Sequence, residues 1–158
     1  MSEARPSGGD FRATGRRIAI VAARFNGDIV SGLLGGALAR WRERGGEQED
    51  LLVVRVPGAF ELPLVSRKLA LSGRYEAVVA LGCVIRGDTA HFEYVAGECA
   101  RGLQQASTDT GVPIAFGVLT VENIEQARER AGENQANKGA DAMDSALEMA
   151  HVMAQLPG

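Results

Sequence analysis

The chain has 158 residues, 17 basic and 20 acidic side chains, a net charge of −3 and 5% aromatics. That length makes one domain able to bury about 68–70% of its extended surface, and the weakly acidic balance, with no basic block, excludes nucleic acid and anionic membranes as expected partners. No run approaches the ~20 apolar residues of a membrane span and the opening MSEARPSGGD is polar, so a cytoplasmic location is expected.

Residues 1–10 read as a flexible N-terminal tail and 11–158 as a single domain. Asp10 to Thr14 (DFRAT) suits either a short strand or a loop. RIAIVAAR at 17–24 then reads as a strand, LLGGALARWRERG at 33–45 as a helix, LLVVRVPG at 51–58 as a strand and FELPLVSRKLALSG at 60–73 as a helix. AVVALGCVI at 77–85 is an unbroken Val-rich run of the kind buried on both faces of a parallel sheet. From Thr89 to about Thr108 the apolar positions Phe92, Val95, Ala96, Cys99 and Leu103 recur at three- and four-residue spacing, which predicts an amphipathic helix capped by Asp88 or Thr89. PIAFGVLTV at 113–121 gives a fourth strand, followed by a short helix after Asn123 and a last helix from Lys138 to Gln155. The alternation predicts an α/β three-layer sandwich, with a central, mainly parallel four-stranded sheet and helices on both faces. Cys83 and Cys99 lie in apolar contexts without a CxxC pair or flanking His, so they read as buried, reduced thiols, and neither a metal nor a disulfide is expected.

In such a sheet the chemistry belongs at the carboxyl ends of the strands, so the four loops there are read together. In Arg24 to Gly27, Phe25 is either a stacking platform for a flat heterocycle or an edge-of-core aromatic, and Asn26 suits the N-cap of the next helix. Pro57 to Glu61 brings Glu61 to the first turn of a helix, where the dipole favours a carboxylate with or without a ligand. In Arg86 to His91, Gly87 lets the backbone come close, and the first amides of the helix offer a site for an anion beside His91. His91 is then a proton carrier or an ordinary surface histidine. Leu119 to Asn123 is the fourth loop. Beyond it, Gly132 and Gly139 bracket a polar connection flanked by Arg130 and Lys138; each cation is explicable without a ligand, and together they could meet one phosphate. His151 reads as structural.

The loops resemble those of the 6,7-dimethyl-8-ribityllumazine synthase family from about Arg17 to Ala154. The resemblance rests on ARFN at 23–26, VPGAFELP at 56–63, ALGCVIRGDTAHFEYV at 80–95, FGVLTVENIEQARERAG at 116–132 and NKGADA at 137–142. Each segment alone is weak; five in order and correctly spaced are specific. The resemblance implies a flavodoxin-like fold and a cofactor-independent enzyme of riboflavin biosynthesis. Its reaction condenses 5-amino-6-(D-ribitylamino)uracil with 3,4-dihydroxy-2-butanone 4-phosphate, releasing phosphate and water. It also implies roles: Phe25 stacks on the pyrimidine, while Asn26, the backbone around Ala59 and Phe60, and Glu61 hold the ribityl chain. Val84 and Ile85 meet the ring through main-chain groups. Asp88 and Thr89 take the phosphate with Arg130, and His91 moves protons with Lys138 and Asp141 as helpers. Each site lies between adjacent subunits of a pentamer, with Phe116, Arg130 and Lys138 coming from the neighbour. Twelve pentamers form a 60-subunit icosahedral shell in many members, and riboflavin synthase is a candidate partner. The short Gly132 to Gly139 connection is of the shell-forming kind, although Glu133 to Ala136 lack the Gly that usually precedes Asn-Lys-Gly. The competing readings are a non-catalytic flavin- or lumazine-binding protein, which would not need Thr89, His91 and Arg130 together; a flavodoxin-like phosphate-binding enzyme of another pathway, which would explain the Gly-Asp-Thr loop but not VPGAFELP; and a shell protein of the same fold, separated by whether the protein turns over substrate.

Overall fold

The computed structural model describes residues 9–158. Four strands, β1 (Ile18–Ala23), β2 (Leu51–Val56), β3 (Ala77–Ile85) and β4 (Ile114–Val121), form one sheet in the order β2-β1-β3-β4, parallel throughout. Five helices join or follow them: α1 (Gly27–Glu43), α2 (Leu62–Leu71), α3 (His91–Thr110), α4 (Ile124–Ala131) and α5 (Lys138–Gln155). Short 3-10 turns at Gln48–Asp50 and Ala59–Glu61 precede β2 and α2.

Two apolar layers fill the sandwich. On one face Ile18, Ile20, Val79 and Leu81 of the sheet pack on α1, α4 and α5 through Leu33, Trp41, Ala127, Met143 and Leu147. On the other, Val21, Val78, Ala80 and Val118 pack on α2 and α3 through Leu62, Cys99 and Leu103. β1 and β3 are central and buried along almost their whole length, as their continuous apolar runs require. The expected layer order and parallel sheet of a flavodoxin-like fold are therefore present.

Several local expectations are resolved by the structure. Of the two alternatives left open for DFRAT, loop and turn is the one found. α1 begins at Gly27, as the expected N-cap at Asn26 places it, although its apolar periodicity is clear only from Leu33. β2 is an edge strand with Leu52, Val53 and Arg55 exposed, so the helical layers leave that margin of the sheet uncovered. Of the tail expected over 1–10, residues 1–8 lie outside the described residues. Gly9 donates its amide to Glu148 Oε2 on α5 at 2.6 Å, and Asp10 lies 3.6 Å from His151 Nδ1 on the same helix. His151 thus has the structural contact expected of it.

α1 and α5 pack at close range because the contact is built from glycine. A Cβ on Gly139 would stand 1.9 Å from the Leu33 carbonyl oxygen, and one on Gly36 2.1 Å from Asn137 Oδ1. Gly117 does the same service for the sheet, since a Cβ there would meet Leu81 Cδ2 at 2.5 Å and Ala142 Cβ at 3.1 Å. These close approaches fix where α5, and the charged residues at its start, lie against β4.

Candidate active site

At the carboxyl end of β1 the chain leaves the sheet through Arg24 and Phe25, whose amides donate to the carbonyls of Val56 and Pro57 at 2.7 and 2.9 Å. Parallel pairing thus runs past the strand ends and ties the Phe25 loop to the segment after β2. Phe25 is 71% exposed, which removes the edge-of-core reading and leaves an aromatic face open to solvent. Asn26 takes the left-handed conformation (φ 57, ψ 47) at the N-cap of α1, but its side chain caps nothing. Its Nδ2 donates instead to the Cys83 carbonyl at 2.9 Å, lashing the exit of β1 to that of β3.

After β2, a Cβ built on Gly58 would lie 3.5 Å from Glu61 Oε1 and 3.9 Å from Phe25 Cβ, so the carboxylate and the aromatic adjoin one small space. Glu61 is the N-cap residue of α2 and ends the 3-10 turn, one position before the helical first turn expected for it. Phe60 is exposed, whereas Ala59 is buried and faces Gly82 of β3.

Val84 is buried and Ile85 half-buried at the end of β3, where the Arg86 amide donates to the Val121 carbonyl at 2.9 Å. The Arg86 guanidinium pairs with Glu93, lies 2.9 Å from Glu122 Oε2 and covers the Phe92 ring at 4.4 Å. Hydrogen bonding within that cluster raises Arg86 above its ordinary value and lowers Glu93 below its own. The cluster braces Gly87 to Ala90 from both sides. α3 starts at His91 with Ala90 at the N-cap, so neither Asp88 nor Thr89 caps it. Ala90 is already in the helical region and has no side-chain acceptor; Thr89 Oγ1 only approaches the His91 amide at 3.4 Å. At the start of this 20-residue helix the His91 amide thus has only the long contact to Thr89 Oγ1 and the Glu93 amide donates to the Ala90 carbonyl at 3.1 Å, beside exposed Asp88, Thr89 and His91.

Phe116, Arg130, Lys138 and Asp141 do not join this group. They line a separate cleft of about 370 Å³ along the free edge of β4, against α4 and α5. Phe116 pairs in register with Ala80, in mid-strand, and is half-exposed; the pairing that ends the strands is Ile85 with Val121. Both cations that flank the Gly132 to Gly139 connection thus line one cleft. Lys138 Nζ lies 3.5 Å from Asp141 Oδ2, and Arg130 Nη1 donates to the Gln126 carbonyl at 2.9 Å. Asn123 Oδ1 accepts from the Gln126 amide at 2.9 Å and so starts α4. Thr120, part of the fourth loop but not singled out there, and Ser145, which reads as an ordinary helix position, also line the cleft. Arg86 was missed for a different reason, since its partners lie in two other segments.

The chain thus presents two incomplete surfaces. One offers an exposed aromatic, a carboxylate, strand-end backbone and an imidazole at a helix start; the other offers an aromatic, two cations, a carboxylate and two hydroxyls. Among the described residues no group of three or more His, Cys, Asp or Glu side chains converges to hold a metal ion. Cys83 and Cys99 are buried free thiols, each pushed up to about 11 by burial.

A sequence model of the 6,7-dimethyl-8-ribityllumazine synthase family matches residues 15–154. A protein named 6,7-dimethyl-8-ribityllumazine synthase from Nitratidesulfovibrio vulgaris Miyazaki F is 53% identical over 148 residues, covering 94% of this chain and 95% of that protein. The protein of the same name from Nitratidesulfovibrio vulgaris Hildenborough gives the same identity and coverage. A match over nearly the whole chain, on a parallel sheet that exposes the matching loops, decides the assignment: this chain belongs to the 6,7-dimethyl-8-ribityllumazine synthase family.

Proposed function

We propose that this chain makes 6,7-dimethyl-8-ribityllumazine in riboflavin biosynthesis, at a site completed only when two copies meet. The reaction condenses 5-amino-6-(D-ribitylamino)uracil with 3,4-dihydroxy-2-butanone 4-phosphate and releases phosphate and water. The observation that carries the two-copy reading is the separation of Phe25, Glu61 and His91 at the strand ends from Phe116, Arg130 and Lys138 in the cleft at the edge of β4.

Phe25 stacks on the pyrimidine ring, and Glu61 with the backbone around Ala59 and Phe60 holds the ribityl hydroxyls. Asn26 has its amide hydrogens turned to Cys83, so Oδ1 is the atom it offers a ligand. Val84 and Ile85 address the ring through main-chain groups. The α3 start with Asp88 and Thr89 takes the phosphate, and the planar fork of Arg130 from the neighbour closes over it. An aryl amine and a ketone form an imine readily once they are held together, so orientation supplies much of the rate. His91 serves as acid when the carbinolamine loses water and as base when the carbon-bound proton leaves ahead of phosphate, with Lys138 and Asp141 supporting the charge.

A homopentamer, with a 60-subunit shell as its higher assembly, fits a site shared between neighbours. A cytoplasmic location and riboflavin synthase, which consumes the lumazine, as a partner complete the reading. Among the described residues no helix is long and apolar enough to cross a membrane.

The test is to mix purified protein with both substrates and follow lumazine absorbance against the spontaneous reaction. Acceleration is expected; a background rate with tight ligand binding would favour the non-catalytic reading. His91→Ala is expected to lower turnover by ~10²-fold or less with ligand binding near normal, and loss of binding would overturn the proton-transfer role.

A further inference from the structure

Asn137 is 4% exposed and one of two buried polar side chains among the described residues. Its Nδ2 lies 3.1 Å from the Gly32 carbonyl of α1, 3.2 Å from that of Ala131 and 2.9 Å from that of Gly132. Two amide hydrogens are therefore shared among three acceptors, one in the middle of α1 and two at the end of α4. Its Oδ1 accepts from the Ala140 amide at 3.0 Å and caps α5, and its own carbonyl accepts from the Asp141 amide at 3.3 Å. One side chain thus joins three helices. The sites it joins matter: Ala131 follows Arg130, and Lys138 and Asp141 stand one and four residues beyond Asn137.

The surrounding backbone is shaped to admit it. Gly36 leaves the space in which Asn137 Oδ1 sits, and Gly32 and Gly139 let Ala131 and Leu33 approach at distances no Cβ would tolerate. The connection itself is braced on the same residue, since the Asn137 amide donates to the Asn134 carbonyl at 3.3 Å and Asn134 Oδ1 accepts from Ala136 at 2.7 Å.

We infer that Asn137 is a positioning residue for the anionic substrate: it sets the distance between Arg130 and Lys138 across the α4–α5 break, so that Arg130 closes over the phosphate with Lys138 held beside it. The inference rests on the two-copy reading of the site given above. Asn137 touches no ligand itself. Aspartate in its place keeps the cap on Ala140 but turns an acceptor toward three carbonyls, pushing the helix ends apart.

The experiment compares Asn137→Asp and Asn137→Ser with the parent enzyme, measuring KM for each substrate separately and kcat. The expected result is a rise of about tenfold or more in KM for the butanone phosphate, with KM for the ribitylaminouracil nearly unchanged. Should the aspartate variant fail to fold, the serine variant, which retains a capping oxygen, carries the same comparison. The effect is expected to vanish when Asn137→Ser is introduced into an Arg130→Ala, Lys138→Ala background, because it acts through those two side chains. Equal changes in both KM values, or an undiminished effect in that background, would reduce Asn137 to a structural residue and overturn the inference. If Arg130→Ala with Lys138→Ala leaves KM for the butanone phosphate unchanged, the reading of the cleft as a phosphate half-site fails, and the inference with it.

Discussion

Asn26 shows how one residue can be asked for two incompatible things. Its left-handed backbone would suit glycine, yet glycine would lose the 2.9 Å bond from Nδ2 to the Cys83 carbonyl that ties two strand exits together. Asn is the side chain that tolerates that backbone region and still donates a hydrogen bond. Asn26→Ala is expected to destabilise the fold by about 1–2 kcal/mol and to raise KM for the ribitylaminouracil, both read by denaturant titration and steady-state kinetics. Loss of stability without any kinetic effect would confine Asn26 to the scaffold. The thiols are the converse case. With Cys83 and Cys99 both pushed up to about 11 by burial, neither ionises at neutral pH. Labelling by a disulfide reagent at pH 8 is expected to be slow in the native protein and fast in denaturant, because the reactive thiolate is both scarce and covered.

At the scale of elements, the α1–α5 seam decides where Lys138 and Asp141 sit. Gly139→Ala drives a Cβ into the Leu33 carbonyl, and because backbone cannot yield as a side-chain tip can, the cost is expected to be about 1–3 kcal/mol, read as a lower denaturation midpoint. The Arg86 cluster governs the other surface. Glu93 is held below its ordinary value of 4.5, so its pairing with Arg86 is intact above that pH and is lost as the pH falls beneath it. The protection of the amides across Gly87 to His91, measured relative to their intrinsic exchange rates, is expected to fall on acidification through that range, and Glu93→Gln is expected to remove that pH dependence of protection.

Element types and order were legible because β1 and β3 are buried on both faces and read as unbroken apolar runs, while α3 and α5 repeat at helical spacing. The bounds of α5 were recoverable because Asn137 is a true side-chain cap. The start of α3 was not, because Ala90 occupies the cap position and Thr89, one residue earlier, makes only a long contact to the His91 amide. Phe25 and Glu61 stood out from their loops as candidates, whereas Phe116 looked like one more strand hydrophobe and became a candidate only through the resemblance. Its exposure follows from β4 being an edge strand, a property of sheet order that no local pattern carries. The Asn137 clamp is equally invisible in the chain, since its partner Gly32 lies 105 residues away.

For the whole molecule, the division of charged and aromatic residues between two surfaces predicts complementation. His91→Ala and Arg130→Ala subunits, unfolded together and reassembled in equal amounts, are expected to recover about a quarter of parental activity, because a random ring pairs an intact first surface with an intact second one at that frequency. Activity no higher than the average of the two variants alone would mean that each chain holds its own complete site. Dilution to the monomer is expected to abolish turnover for the same reason, as sedimentation and kinetics on one dilution series would reveal.

The sheet order carries one more consequence, for the life of the chain in a cell. β2 and β4 each leave one margin without a strand neighbour, and β2 exposes Leu52 and Val53 alongside its free backbone groups. A newly made chain with these margins open is therefore a sticky species, prone to join copies of itself edge to edge in the wrong register. Overproduction should thus fill inclusion bodies as the concentration of such chains rises, and slower synthesis should rescue solubility without any change to the protein.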